Sequence, residues 1–327
     1  MSDIPKVLAP PPTVPRRLRS SVLLPFRGKE PVVVTRATNR GWRLTPWLFL
    51  LVPLVLLVTF TYIPVANMFW YSTTDWNGIS KVKESVGLDN YVEFFTRPEL
   101  FRVFWVSLYY LAASVVQLAL ALYFATLLSF RTRFKNGFKG ILYFPSLING
   151  VAVSFIFLFF FQPGGTLDSV VHLFGVPMDS MPQWLGNPDI INFSLAGTSV
   201  WRYLGLNFVL FLGAIQSIPA GIYEAAELDG AGRWAQFRYI IAPGIKPIIG
   251  LSFILAISGS LAVFEIPFIM TDGANGSTTF VIQTIKTAFQ SNKVGLASAM
   301  AVILLVIILV VTWIQRRLVP EEEVNLT

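Results

Sequence analysis

Apolar residues along this chain gather into blocks of twenty or more with hardly a charge inside, at about 46 to 70, 104 to 130, 140 to 162, 193 to 216, 248 to 270 and 296 to 315. A helix rises about 1.5 Å per residue, so about 20 residues cross a hydrocarbon core of roughly 30 Å. Each block is long enough to do so, and each is flanked by polar or turn-forming residues. The pattern therefore predicts an all-α membrane protein of six transmembrane helices.

The segments between the blocks sort by basic charge. Before the first block stand Lys6, Arg16, Arg17, Arg19, Arg27, Lys29, Arg36, Arg40 and Arg43; the second connection has Arg131, Arg133, Lys135 and Lys139; the fourth has Arg233, Arg238 and Lys246; and Arg316 and Arg317 follow the last block. The third connection, residues 163 to 192, has neither Lys nor Arg, and the fifth has only Lys286 and Lys293. Basic residues stay on the cytoplasmic side, which predicts cytoplasmic N- and C-termini. The first connection mixes Lys81, Lys83, Arg97 and Arg102 with Asp75, Glu84, Asp89, Glu93 and Glu99, as a small outer lobe would.

Composition agrees. Of the 327 residues, 54% are hydrophobic and 13% charged, against about 45 to 50% and about 25% in soluble domains, which excludes an ordinary soluble enzyme. The net charge of +7 is topology rather than a nucleic-acid footprint, because nine of the 25 basic residues lie in the first 43 positions and most others flank apolar blocks. Those 43 residues hold seven prolines and no sustained periodicity, so a flexible basic tail near anionic headgroups is expected. The first 30 residues offer only the apolar run Val22 to Pro25 and no small-residue cleavage pattern, so insertion through the first span without cleavage is expected. With no Cys and one His, His172, disulfides, thiolate metal sites and multi-histidine sites are excluded. Phosphate-cradling G-x-x-x-x-G-K-[ST], G-x-S-x-G and H-E-x-x-H are all absent, so no catalytic residue, metal or bound cofactor is expected here. Pro163-Gly164-Gly165-Thr166 reads as a span-ending turn, and Phe155 to Phe161 and Val302 to Val311 as lipid-facing or helix-packing surface.

Between the fourth and fifth blocks the chain spends residues 217 to 247 where a short link would suffice, and loops this long are usually functional. Pro219 and Gly221 are expected to end the fourth span, a short helix carries Glu224, Ala225, Ala226 and Leu228 with Glu224 in its first turn, and Gly230 and Gly232 break it. A second helix follows with Trp234, Phe237 and Ile241 on an apolar stripe and Gln236 and Tyr239 opposite; Pro243 and Pro247 re-aim the chain. The run Glu224-Ala225-Ala226, Asp229-Gly230-Ala231, Phe237, Ile240 or Ile241 and Pro243 resembles the EAA loop of ABC-importer permeases, whose short helix docks into the ATPase subunit.

The resemblance extends from about residue 45 to 317, through Trp184-Leu185, Asn187-Pro188, Trp201, Gln216-Ser217-Ile218-Pro219, Tyr223, Met270-Thr271-Asp272-Gly273, Ser277-Thr278 and Gly295-Leu296-Ala297-Ser298-Ala299. That set is similar to the carbohydrate-uptake class of type I permeases. Two positions depart from it: Ala242 stands where a leucine is usual, and the glycine-rich tract after the fifth span is Asp272-Gly273-Ala274-Asn275-Gly276. Composition gives a basic, Pro-rich tail over 1–43 and an acidic tail over 318–327; between them the resemblance implies a first helix and outer lobe over 44–102 and a type I permease core over 103–317 with the coupling loop at 217–247. It implies a second related permease, two ATPase subunits that bind ATP and Mg, an extracytoplasmic solute-binding protein and a sugar substrate, in a bacterial or archaeal cytoplasmic membrane, with no nucleic acid.

Within the spans, Arg202 and Glu265 are conspicuous, since an ionisable group at that depth should face protein or water. Ser199, Tyr203 and Asn207 recur every four residues on one face of the fourth span, beside Trp201. Rings and hydroxyl or amide donors suit a sugar, and by resemblance Trp201, Tyr203 and Ser260 fall at path-lining positions. Two readings stand for Trp201 and Tyr203, substrate path or interfacial aromatic belt; Arg202 reads as snorkelling to headgroups or facing the path, and Glu265 as a path residue or half of a structural pair. Rival solutes are glycerol phosphate or another non-sugar; of these, a carboxylate at Glu265 disfavours an anionic phosphate. An ion-coupled secondary transporter would want an internal repeat and several buried ionisable groups.

Overall fold

The computed structural model describes residues 40–130 and 135–318. The expected basic tail up to residue 39, the acidic tail from residue 319 and the stretch holding Arg131 and Arg133 lie outside the described residues. Two compact units separate at residue 57. The first is described from its helix α1 (Arg40–Leu57), which carries Pro46 and Pro53 and exposes every side chain from residue 46 onward.

The second unit starts with a π-helical turn, Val58–Tyr62, and α2 (Ile63–Tyr71), then α3 (Asp89–Thr96) and α4 (Pro98–Arg102), α5 (Phe104–Ser129), α6 (Lys135–Leu147), α7 (Gly150–Phe161), α8 (Thr166–Leu173) and α9 (Ile191–Gln216). It continues with α10 (Ala220–Leu228), α11 (Arg233–Gln236), α12 (Ala242–Gly244), α13 (Lys246–Leu261), α14 (Glu265–Thr271), α15 (Phe280–Phe289) and α16 (Val294–Leu318). Among the described residues the extended pairing amounts to an isolated bridge, Thr74 with Ser85. Helical stretches Pro46–Tyr71, Pro98–Ser129, Ile191–Gln216, Lys246–Thr271 and Val294–Arg317 are long and apolar enough to cross a membrane.

The block at 140 to 162, read as one straight span, is instead two helices bent by 97°. Pro145 removes a backbone donor just before the bend, and the Asn149 side chain accepts from the Val151 amide at 2.8 Å, capping a fresh helix. A sixth crossing exists if this bent pair is counted as one. The fifth block is also interrupted, with α13 ending at Leu261 and α14 restarting at Glu265. The mixed first connection packs onto the start of α16: Asn90 donates to the Ser72 and Thr74 carbonyls at 2.9 and 2.8 Å, the Gly295 amide donates to the Trp76 carbonyl, and Lys293 pairs with Glu93 at 3.0 Å.

Lipid tails are as apolar as leucine, so helices here are held by close packing and interhelical hydrogen bonds. α9 packs along α5, where Ala121 and Ala125 are fully buried among Leu118, Phe208, Phe211 and Ile215. Gln117 adds a bond across the pair, its amide donating to the Tyr203 carbonyl at 2.9 Å, a contact of about 1 kcal/mol. A second cluster joins Val106 and Tyr110 of α5 to Ile191 and Leu195 of α9, Phe161 of α7 and Ile266 of α14. Within Phe155 to Phe161 the side chains therefore divide: Phe155 and Phe159 are exposed, while Phe157, Phe160 and Phe161 pack with this cluster.

Candidate functional site: a helix-lined cavity and an exposed coupling segment

A cavity of about 470 Å³ opens between α5, α9 and the interrupted α13–α14 run. α5 supplies Tyr110, Ser114 and Gln117, at offsets of four and three that place them on one face. α9 supplies Ser199, Arg202, Tyr203 and Asn207, again one face, and α13 supplies Ser252 and Ser260. The hydroxyls of Ser114 and Ser260 donate back to the Tyr110 and Ile257 carbonyls, both at 2.8 Å. Their lone pairs remain as acceptors, while the Tyr110 hydroxyl is buried with no hydrogen-bond partner among the described residues. The accessible side chains of Tyr203, Ser199 and Asn207 offer a ring face, acceptors and amide donors, a mixture that suits a polyhydroxylated ligand.

Among the described residues, the cavity wall carries two charges, and they meet. Arg202 Nη1 donates to Glu265 Oε2 at 2.6 Å, and the guanidinium lies 5.0 Å over the Tyr203 ring. The snorkelling reading of Arg202 is thereby corrected: its charge is satisfied inside the protein by the carboxylate at the start of α14, and its side chain is only 16% exposed. Glu265 is half of a pair and also lines the cavity.

Ser199, Tyr203, Asn207, Ser260 and Glu265 are therefore brought together, and Trp201 is not among them. Trp201 sits outside that lining on α9, exposed, with its ring edge-on to Phe157 at 5.2 Å. The α5 contribution went unread in the sequence, although Tyr110, Ser114 and Gln117 form a polar stripe at helical spacing in an otherwise apolar block.

The segment 217–247 is built differently. α10 begins after Pro219, so Gly221 lies inside that helix rather than ending the span, and Glu224 falls in its second turn, not its first. The helix closes as a Schellman motif: the Ala231 amide donates to the Ala226 carbonyl at 2.8 Å and the Gly230 amide to Glu227 at 3.1 Å, with Gly230 at φ 77°. Glu224, Ala225, Asp229, Gly230 and Pro243 are exposed, and Ala226 and Phe237 are partly so. The expected stripe is corrected at two positions. Gln236 is buried, donating to the Ala231 carbonyl at 3.2 Å, and Trp234 is exposed, stacked on Phe237 at 5.5 Å. Ile241 is fully buried against α5 and α9 residues, and so anchors the segment to the core. Burial raises the pKa of the Tyr223 hydroxyl, which also lacks a partner among the described residues. His172 closes its own turn, with Nδ1 2.9 Å from the Val176 carbonyl.

Among the described residues, membrane-length apolar helices line a cavity into which a few polar side chains are set, and a chain built so is a permease. Residues 117–323 match the family described as the binding-protein-dependent transport system inner membrane component, and the chain belongs to that family of ABC-importer permeases. It is 31% identical over 296 residues to the multiple sugar-binding transport system permease protein MsmF of Streptococcus mutans, covering 90% of this chain and 100% of that one. It is 27% identical over 288 residues to the sn-glycerol-3-phosphate transport system permease protein UgpA of Escherichia coli, covering 86% and 95%. Its fold matches a chain of a crystallised bacterial ABC transporter involved in import of the acidic polysaccharide alginate, with a TM-score of 0.73, 20% identity and coverage of 86% and 98%.

Proposed function

We propose that this chain is one transmembrane subunit of an ATP-driven, binding-protein-dependent importer of sugars, di- or oligosaccharides in particular. The observation that carries the reading is the cavity, whose Tyr203, Asn207 and Ser199 side chains suit neutral hydroxyls and ring faces. The likeness to MsmF supports the same substrate class. The likeness to UgpA favours a second reading, a phosphorylated solute, but the cavity's cation is already paired with a carboxylate, which leaves a phosphate no free partner there among the described residues.

In this proposal six crossings leave both termini in the cytoplasm of a bacterial or archaeal inner membrane, a reading that the placement of Lys and Arg supports. Six helices enclose half a path, a second related permease completes it, and two ATPase subunits dock beneath while a solute-binding protein delivers sugar outside. α10 is the docked lever: closure of the ATPase dimer moves it and switches the cavity between inward- and outward-open states. ATP and Mg belong to the ATPase subunits, and this chain performs no chemistry itself.

The test uses one strain. Affinity purification of the tagged chain is expected to bring an ATPase and a second permease, and cells are expected to accumulate a radiolabelled neutral di- or oligosaccharide only when the chain is present. Single cysteines placed at Ser180 and Asn136 in this Cys-free chain should react with an impermeant thiol reagent at Ser180 alone. Purification without an ATPase would overturn the importer reading, and labelling at Asn136 in intact cells would overturn the orientation.

A further inference from the structure

We propose that the Arg202–Glu265 pair sets the charge preference of the cavity, Glu265 cancelling Arg202 so that neutral sugars are accepted and uronic acids and sugar phosphates are refused. This rests on the sugar-importer reading and goes beyond it by naming the selecting group. The other side chains on the cavity wall are neutral, so its electrostatic character is decided by this pair. The pair is close, at 2.6 Å, and both partners line the cavity. It is also held in place, because Arg202 lies over the Tyr203 ring. Below it, Gly150 opens α7 with no side chain, and a Cβ there would run into Glu265 Oε2 and Arg202 Nη1.

A charge out of water is tolerated when its partner is present and strongly disfavoured when that partner is removed. With both present, the wall presents a dipole that hydroxyls can bridge and offers a carboxylate or phosphate ligand no net attraction. Removing the carboxylate leaves a guanidinium, with five donors and no acceptor, facing the cavity; a ligand anion is then the natural replacement. Removing the guanidinium does the reverse, and the site should take a ligand cation.

The experiment uses the assembled transporter, with its permease partner and ATPase, in lipid nanodiscs, titrated with glucuronate, glucose and protonated glucosamine while the thermal midpoint is followed. Wild type is expected to respond to glucuronate no better than to glucose. Glu265→Gln should respond to glucuronate at roughly tenfold to hundredfold lower concentration than to glucose, the range of one charge-assisted hydrogen bond. Arg202→Gln should instead prefer glucosamine over glucose, and the double variant R202Q/E265Q should show neither preference. If one single variant does not assemble, the other carries the test. Equal responses to charged and neutral sugar in an assembled single variant overturn the proposal, as does a preference that survives in the double variant. Failure of both single variants to assemble also overturns it, because the pair is then a folding element. Uptake of neutral sugar by wild type is measured in parallel and bears on the importer reading alone.

Discussion

An added Cβ at Gly205, in the α9 wall behind the cavity, would come within 2.8 Å of the Tyr143 Cα and collide with the Leu142 carbonyl oxygen of α6. At Gly230, in the coupling segment, the same added atom meets nothing within 4 Å; what demands glycine there is a φ of 77°. The cavity wall is thus specified by what packs against it from other helices, and the coupling segment by its own backbone. That difference suits their proposed duties. A wall must hold side chains at fixed spacing around a ligand, whereas a docking helix must keep its shape while leaving its surface to another protein.

Substitution at Gly205 should break the first region most severely. Gly205→Leu forces α6 away from α9, because the obstructing atoms are backbone and cannot swing aside. Overpacking typically costs about 1 to 3 kcal/mol and more where nothing yields, so little folded protein is expected in detergent extracts, as fluorescence-detected size exclusion would report. A monodisperse peak at wild-type height would mean that the two helices are not locked. Gly230→Val should be milder for the fold and severe for coupling. A β-branched residue in the left-handed region costs about 1 to 2 kcal/mol, paid locally, with open space around it. Protein should remain in the membrane near wild-type amounts while uptake falls about tenfold or more, and normal uptake would count against the segment as the coupling contact.

The same contrast explains what could be read from the sequence. The coupling segment is local: Pro219, the Glu224-Ala225-Ala226 run and Gly230 lie within twelve residues, so its helix and its stop were legible, and only finer details, the turn holding Glu224 and the sides taken by Trp234 and Gln236, were misplaced. Gln236 is buried because the Ala231 carbonyl exposed by the Schellman turn needs a donor, a partnership that an apolar stripe does not register. The cavity is assembled from residues far apart in the chain. Its α9 face was visible as a four-residue repeat, but the pairing of Arg202 with Glu265 spans 63 positions and depends on a helix break at residues 262–264. That break carries Ala262, Val263 and Phe264, and its signal is Pro267, which cannot donate to the Val263 carbonyl and sits in the first turn of α14. The bend in the third block is announced by Pro145 and Asn149-Gly150, signals that an apolar run of span length masks.

The smallest expected effect lies at Trp201, the residue on which the two readings of α9 divide. Sequence resemblance put its ring on the sugar path, while the fold sets it against Phe157, outside the cavity lining that holds Tyr203. An edge-on aromatic pair is worth about 0.5 to 1.5 kcal/mol beyond its buried area, so Trp201→Ala is expected to lower the amount of transporter modestly. Uptake per molecule should keep its dependence on sugar concentration, because no cavity contact is lost. Tyr203→Ala removes both a ring face in the cavity and the platform under Arg202, and should raise the half-saturating concentration severalfold at similar abundance. Measuring uptake against sugar concentration, normalised to transporter in the membrane, separates the two variants. If Trp201→Ala loses per-molecule uptake at limiting sugar and an aromatic replacement restores it, the ring touches substrate in some stage of the cycle and the path extends beyond the cavity seen between α5, α9 and α13. If only abundance falls, the edge-on contact with Phe157 accounts for it, and the recognition surface of α9 is confined to the face bearing Ser199, Tyr203 and Asn207.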